Sequence, residues 1–174
     1  KLVALKNKLD ALAPDNVNIV RADHWFSYYN EANHLPFNLT LLQDMVVTSS
    51  PASTDASYAA DGSPSEQYMW VSKAADGTGW VQLDFQEPFL ISRYVVRHAE
   101  SAGLAPQLNN CNFTIETSLD GETWTTVGTH TANTSPVTEA SISPTEARFL
   151  RVNVTHAGTD GIVRIGDIEV YGSH

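Results

Sequence analysis

The residues 94–124, YVVRHAESAGLAPQLNNCNFTIETSLDGETW, begin as an apolar strand and end it on Arg97, His98 and Glu100. A polar stretch bearing Asn109 and Asn110 comes next, before strand character resumes at Phe113. Imidazole and primary amide both donate and accept hydrogen bonds, and a carboxylate accepts them, so this strand end could be a rim that grips a ligand. The same residue types also finish ordinary solvated strands, and the residues alone leave both readings open.

Catalytic groupings are poorly supported. The chain has no G-x-S-x-G, phosphate-binding loop, H-E-x-x-H or Gly-rich dinucleotide turn. Carboxylates at Asp76, Asp84, Asp120 and Glu122 could do acid–base work only if two faced each other across a cleft. Asp120-Gly121 reads instead as a hairpin turn, and Asp84 alternates within a strand. The single cysteine, Cys111, excludes an internal disulfide and a multi-cysteine metal site, and reads as a small buried hydrophobe.

Twenty acids against ten bases give the 174 residues a formal net charge of −10. Such a chain repels phosphate backbones and anionic headgroups, which argues against nucleic acid and membrane surfaces as partners, and no run reaches membrane-spanning length. Neutral ligands and cations remain compatible. The chain opens at Lys1 without a methionine or a signal-like core, and so reads as a piece of something longer.

Two kinds of element must position these groups. Over residues 1–45, Leu2, Leu5, Leu9 and Leu12 recur at helical spacing, NVNIVRA reads as a strand, and Asp23 caps a second helix that stops near Pro36. This helix–strand–helix is too short for a domain and is expected to be the remnant of a preceding one, its His24, Trp25, Tyr28 and Tyr29 packing toward that domain. From residue 46 the pattern becomes short strands with close turn signals. In RFLRVNVT, alternation sends Leu150, Val152 and Val154 to one face and Arg151, Asn153 and Thr155 to the other. About eight such strands without helical crossovers predict an all-β, antiparallel β-sandwich of jelly-roll or Greek-key type, with a short α/β appendage at the N-terminus.

The ordered words AADGS, WVS, GWVQLDF, ISRYVVRHAESAG, LNNCNFTIETSLDGETW, ARFLRVNVT and VRIGDIEVYG resemble the discoidin (coagulation-factor type C) superfamily, most closely carbohydrate-binding module family 32. The resemblance covers residues 46–172, with 173–174 as a tail, and implies a galactose-binding-like sandwich. The N-terminal piece has a faint resemblance to the end of a glycoside hydrolase domain. In this family the module hangs from a secreted bacterial glycosidase, so the resemblance implies a non-catalytic module joined covalently to a catalytic domain. It further implies a secreted, periplasmic or cell-surface location.

The resemblance also assigns roles. Family members hold a structural Ca²⁺ in a loop after the first strand, closed by a carboxylate from the last strand. Here that implies Ala60, Asp61, Ser63, Ser65 and Asp167, oxygen donors of the kind a hard cation takes. Asp167 stands where the family usually has Glu, a shorter reach; the alternative is an ordinary Asp-Gly turn and a solvated edge residue. The family's sugar lies on loops at one end of the sandwich, against a histidine at the position of His98. Glu100, Asn109 and Asn110 would add acceptors and amides, and Tyr68 a stacking ring, while Trp70, Trp80 and Trp124 read as core. The family's usual arginine is absent from AESAGLAPQL, and no aromatic sits in THAGTDG. The expected ligand is a glycan of galactose, N-acetylhexosamine or mannose type. The other reading is a protein-interaction or spacer domain that keeps the fold without a sugar site.

Overall fold

The computed structural model describes residues 35–72 and 74–174. The expected helix–strand–helix therefore lies outside the described residues as far as His34. The chain beyond that point already belongs to the sandwich: β1 (Phe37–Asn38) pairs with the C-terminal strand β9 (Asp167–Ser173), Phe37 facing Gly172, and Leu39 is fully buried. The sandwich thus begins at Phe37, ahead of the boundary expected at 46. Ser173, expected in a tail, pairs with Leu90.

Two long strands hold the architecture together. β4 (Gly79–Arg97) and β7 (Val137–His156) run antiparallel along both their halves, from Gly79 against Val154 to Arg97 against Val137. The sequence suggests two strands for each, WVQLDF and ISRYVVRH for the first and VTEASI and RFLRVNVTH for the second. Instead β4 stays continuous through an irregularity between Asp84 and Phe89, where Gln86 adopts φ 69°. The bend turns one strand into a member of both layers. Its first half carries β2 (Val46–Ser50), and its second half carries β9 and, beyond it, β1. The C-terminal half of β7 carries β5 (Asn112–Ser118), which carries β6 (Thr125–His130). A separate short pair, β3 (Trp70–Ser72) with β8 (Val163–Ile165), completes the set.

The predicted alternation holds. Leu150, Val152 and Val154 are buried with Leu83, Ile115, Ile168 and Val170, while Arg151 and Asn153 face outward. Burial of side chains of this size contributes about 1.5–3 kcal/mol each. Trp70 is core, as expected. Trp80 and Trp124 are not: both are only half-buried, on the outer face, where the Arg151 guanidinium lies 4.0 Å from the Trp124 ring centre and 5.7 Å from that of Trp80. Cys111 is likewise half-buried rather than buried.

Candidate functional site

Strand register brings three loops to one end of the sandwich. Because Ser72 pairs with Val163, the chain leaving β3 and the chain entering β8 start side by side. Because Asn112 pairs with His156, the segment before β5 meets the end of β7. Two of the loops are then tied directly. Thr159 N–H donates to the Gln107 carbonyl at 2.9 Å, and Cys111 N–H to that of His156 at 2.9 Å. Gly158 packs so tightly on Leu108 that a Cβ there would sit 2.7 Å from its backbone. Gly77 and Gly161, with φ of 68° and 72°, bring residues 74–77 close to residues 156–162: a Cβ on Gly77 would sit 3.2 Å from the Gly161 carbonyl oxygen.

Between the loops lies a groove of about 470 Å³. Asp76, His156 and Asp160 supply its polar groups, and Ala74, Ala157 and Ile162 part of its apolar wall. Asp76 Oδ1 accepts from both the amide and the hydroxyl of Thr78, which hold its carboxyl below the usual carboxylate range. Asp160 takes two hydrogen bonds from Arg164, at 3.1 and 2.8 Å, which lower its carboxyl in the same way. Such a rim can accept hydrogen bonds through its carboxylates and donate or accept through imidazole.

The residues expected to touch the sugar lie mostly beneath this surface. His98 is 0% exposed, so it is not the ligand-gripping group its position suggests. Its Nε2 is 3.0 Å from the Thr138 hydroxyl, its ring lies 5.0 Å from that of Phe113, and Nδ1 has no hydrogen-bond partner. Burial, with His130 nearby, pushes its pKa down to about 4, so the ring is neutral at neutral pH. Asn109 is 3% exposed and engaged with Glu100: its Oδ1 accepts the Glu100 amide at 2.9 Å, and its Nδ2 donates to Glu100 Oε2 at 3.0 Å. Asn110, 0% exposed, uses its side chain as a strand would use its backbone, donating to the Arg164 carbonyl at 2.7 Å and accepting the Arg164 amide at 3.2 Å. Asn110 thereby ties its segment to Arg164, beside the 156–162 wall of the groove. Tyr68 is exposed, but in a different loop, edge-on to Tyr58 at 5.4 Å.

His156 and Asp160 escaped the sequence reading, and Asp76 entered it only as a possible catalytic carboxylate. The available signal was the pair of Gly-bearing loops, AADGTG and THAGTDG, which only the β3–β8 pairing brings together.

The proposed calcium ligands have a geometry that can be tested against a cation. Asp167 is not a solvated edge residue. It is 2% exposed, and its Oδ1 accepts the Gly62 amide at 3.0 Å. Burial raises its pKa to about 7, the Gly62 bond opposes this, and the charges of Glu169 and Asp61 add to the rise. Asp61 and Gly62, the latter at φ 73°, bring the turn against the last strand. A desolvated carboxylate with a second carboxylate near it fits a hard cation that takes backbone carbonyls as further ligands. Ala60 is buried and Ser63 exposed at this turn, while the Ser65 hydroxyl accepts the Tyr68 amide. Among the described residues no three acidic, histidine or cysteine side chains are grouped so as to hold a metal ion by themselves, so carbonyls would supply most of the shell.

No curated protein matches this chain. Several solved structures share its fold. The family 32 carbohydrate-binding module from Streptococcus pneumoniae EndoD is 21% identical with a TM-score of 0.66, covering 77% of this chain and 98% of its own. A Clostridium perfringens family 32 module in complex with GalNAc-β-1,3-galactose is 17% identical, TM-score 0.64, over 76% and 98%. Chitosan-binding module 1 from a chitosanase/glucanase of Paenibacillus sp. IK-5 is 24% identical, TM-score 0.61, over 78% and 98%. Residues 45–168 match the F5/8 type C domain, and with the sandwich seen here the chain belongs to that family, the discoidin fold of carbohydrate-binding modules.

Proposed function

We propose that this domain is a non-catalytic carbohydrate-binding module that takes a glycan in the groove between residues 74–77 and 156–162. The observation that carries the reading is the groove itself: two loops, one of them tied by backbone hydrogen bonds to the segment before β5, with polar groups on both walls, at one end of the sandwich. The Asp76 and Asp160 carboxylates would accept hydrogen bonds from sugar hydroxyls and the His156 imidazole would both accept and donate, over a wall of small apolar residues. Similar folds bind GalNAc-β-1,3-galactose and chitosan, which supports a glycan as the ligand class. Affinity between about millimolar and tens of micromolar is expected of so open a site.

The same reading carries a structural Ca²⁺ held by Asp61, Asp167 and neighbouring carbonyls. It also makes the domain the targeting part of a secreted or cell-surface glycosidase. Calorimetry against galactose-, N-acetylhexosamine-, mannose- and glucosamine-bearing glycans tests the groove. One or more should bind, and Asp76→Ala and His156→Ala should weaken it, whereas Glu122→Ala at the distant hairpin should not. Silence across all four ligand classes would favour the second reading, a spacer or protein-interaction domain, which the burial of His98, Asn109 and Asn110 supports.

A further inference from the structure

The loop between β6 and β7, residues 131–136, is fastened on two sides. On one side, Asn133 N–H donates to the Cys111 carbonyl at 2.9 Å, its Nδ2 to the Asn110 carbonyl at 3.0 Å, and Ala132 N–H to Asn112 Oδ1 at 2.9 Å. The segment it grips there is the one behind the groove: Asn110 holds the Arg164 backbone, and Cys111 N–H donates to the His156 carbonyl. On the other side, the Pro136 carbonyl accepts the His98 amide at 2.9 Å and the Ser101 hydroxyl at 2.6 Å. Thr138, just past the loop, lies 3.0 Å from His98 Nε2. Ala132 takes φ 52° to make the turn, a conformation that a residue with a Cβ keeps only where its surroundings hold it.

Both ends of this loop rest on histidines that share one aromatic ring. His130, at the end of β6, stacks on Phe113 at 4.7 Å with its Nε2 2.8 Å from the Tyr94 hydroxyl, and His98 meets the same ring at 5.0 Å. A charged His98 would carry two N–H donors, and the one at Nδ1 has no acceptor in the closed fold. No countercharge among the described residues offsets it. Arg97 and Glu100 beside it are bound to Glu169 and Asn109, Glu139 beside Thr138 is bound to Arg93, and Asp167, opposite Arg97, accepts from Gly62. Burial keeps Tyr94 a neutral phenol, and a charged His130 would repel. The neutral ring therefore fits under the seated loop, and the charged ring needs water.

We propose that the β6–β7 loop is an acid-released catch on the groove: it stays seated while His98 is neutral, and protonation of His98 lifts it and frees the 110–112 segment behind the 156–162 wall. The inference rests on the groove reading and adds regulation to it, glycan being held at neutral pH and let go in acid. Amide hydrogen exchange of the full chain, each rate divided by its intrinsic rate at that pH, tests the release without a ligand. With the ring at about 4 when covered and 6.5 when uncovered, opening becomes about 30-fold easier between pH 7.5 and 5. The amides of His98, Ala132 and Asn133 at the loop, and of Cys111 and Arg164 behind the groove, should exchange faster at pH 5 by that factor. At both pH values they should exchange ahead of Val81 and Val152 in the core, as a local opening requires. In His98→Gln the longer amide reaches the Nε2 position and takes no proton, so the acceleration should vanish. Thr138→Val, which takes the hydroxyl from His98, should speed the same amides already at pH 7.5. Calorimetry with galactose-, N-acetylhexosamine-, mannose- and glucosamine-bearing oligosaccharides should then show a fall in affinity from pH 7.5 to 5 that is larger in the unmutated protein than in His98→Gln. Exchange indifferent to pH, accelerated equally in His98→Gln, or no faster than the core would overturn the catch. Acceleration with no such difference in affinity would overturn its link to the groove. No binding by any of the four at pH 7.5 would overturn the groove reading and the regulation with it, an outcome that the ligand-free exchange keeps distinct from failure of the catch.

Discussion

A buried neutral histidine makes stability depend on pH in a direction that can be worked out in advance. His98 has no exposed surface, and its folded-state pKa is about 4 against an ordinary value of 6.5. Between those two values the unfolded chain carries a proton on this ring and the folded chain does not. Unfolding therefore takes up a proton, and stability rises with pH by about 1.4 kcal/mol per pH unit from this group alone. The contribution is fully present above pH 6.5, is lost as pH falls, and by pH 4 amounts to a loss of about 3 kcal/mol. Other groups also titrate in this window. His130, which is nearby, has its pKa lowered by burial and loses stability in the same direction, while Asp167, raised to about 7, has the opposite sign. The measurement is therefore a difference between two proteins. Urea unfolding of the unmutated protein and of His98→Asn, from pH 7.5 to 4 with a calcium chelator throughout, removes the slopes common to both. Asparagine cannot be protonated; its shorter amide overlies the Nδ1 position and falls short of the Thr138 hydroxyl that Nε2 reaches. The variant should be less stable at neutral pH because the smaller side chain leaves a void beside Phe113, and the gap should close by about 3 kcal/mol toward pH 4. A gap that stays constant across the range would show that His98 titrates normally, and would refute its placement in a dry core.

Calcium, if held by Asp61 and Asp167, stabilises the folded state alone, by roughly 2.7 kcal/mol at a hundredfold excess over Kd. Chelator should lower the melting temperature of the unmutated protein and of Glu122→Ala but leave Asp61→Ala unchanged, and an unmutated protein indifferent to chelator would count against the site. Asn110→Ala strips the Arg164 backbone of two buried partners and should cost about 2–4 kcal/mol in denaturant unfolding, with a measurable loss of glycan affinity because Arg164 positions Asp160. Gly158→Ala places a methyl 2.7 Å from the Leu108 backbone, so the loops must part, and groove binding should fall more than about tenfold while the strands stay folded by circular dichroism.

Much of the fold was legible because it depends on neighbours along the chain. The period-two pattern of residues 149–155 and the Asp120-Gly121 turn specify strands and a hairpin without reference to anything distant. The continuity of β4 through Gln86–Pro88 was not legible, since a bulge and a turn use the same residues and only the pairing with β7 distinguishes them. β3 and β8, three residues each, are too short to show a period at all. Exposure was hardest to read. His98 ends its strand as a binding residue would, yet Phe113 and Thr138, which cover it, arrive only with later strands. The groove needs Ser72 and Val163 to pair across most of the domain's length before Asp76 and Asp160 line one groove.

The polar stretch that first suggested a site turns out to build one at second hand, and the physical reason lies in what loops lack. A loop has no ladder to satisfy its backbone, and at the end of a sandwich it must either stay solvated and mobile or borrow partners from side chains. Asn110 lends both of its groups to Arg164, and Asn109 and Glu100 close on each other, so the segment that backs the 156–162 wall is held by side chains much as a strand edge is held by its ladder. A shallow site gains little from each contact and would lose much of that gain if binding had also to order its loops, at about 1–2 kcal/mol per residue fixed. Fixing the loops during folding removes that cost from binding. The amides are buried because their task is to position Asp160 and the chain around it, and the groups left facing solvent are the ones a ligand can reach.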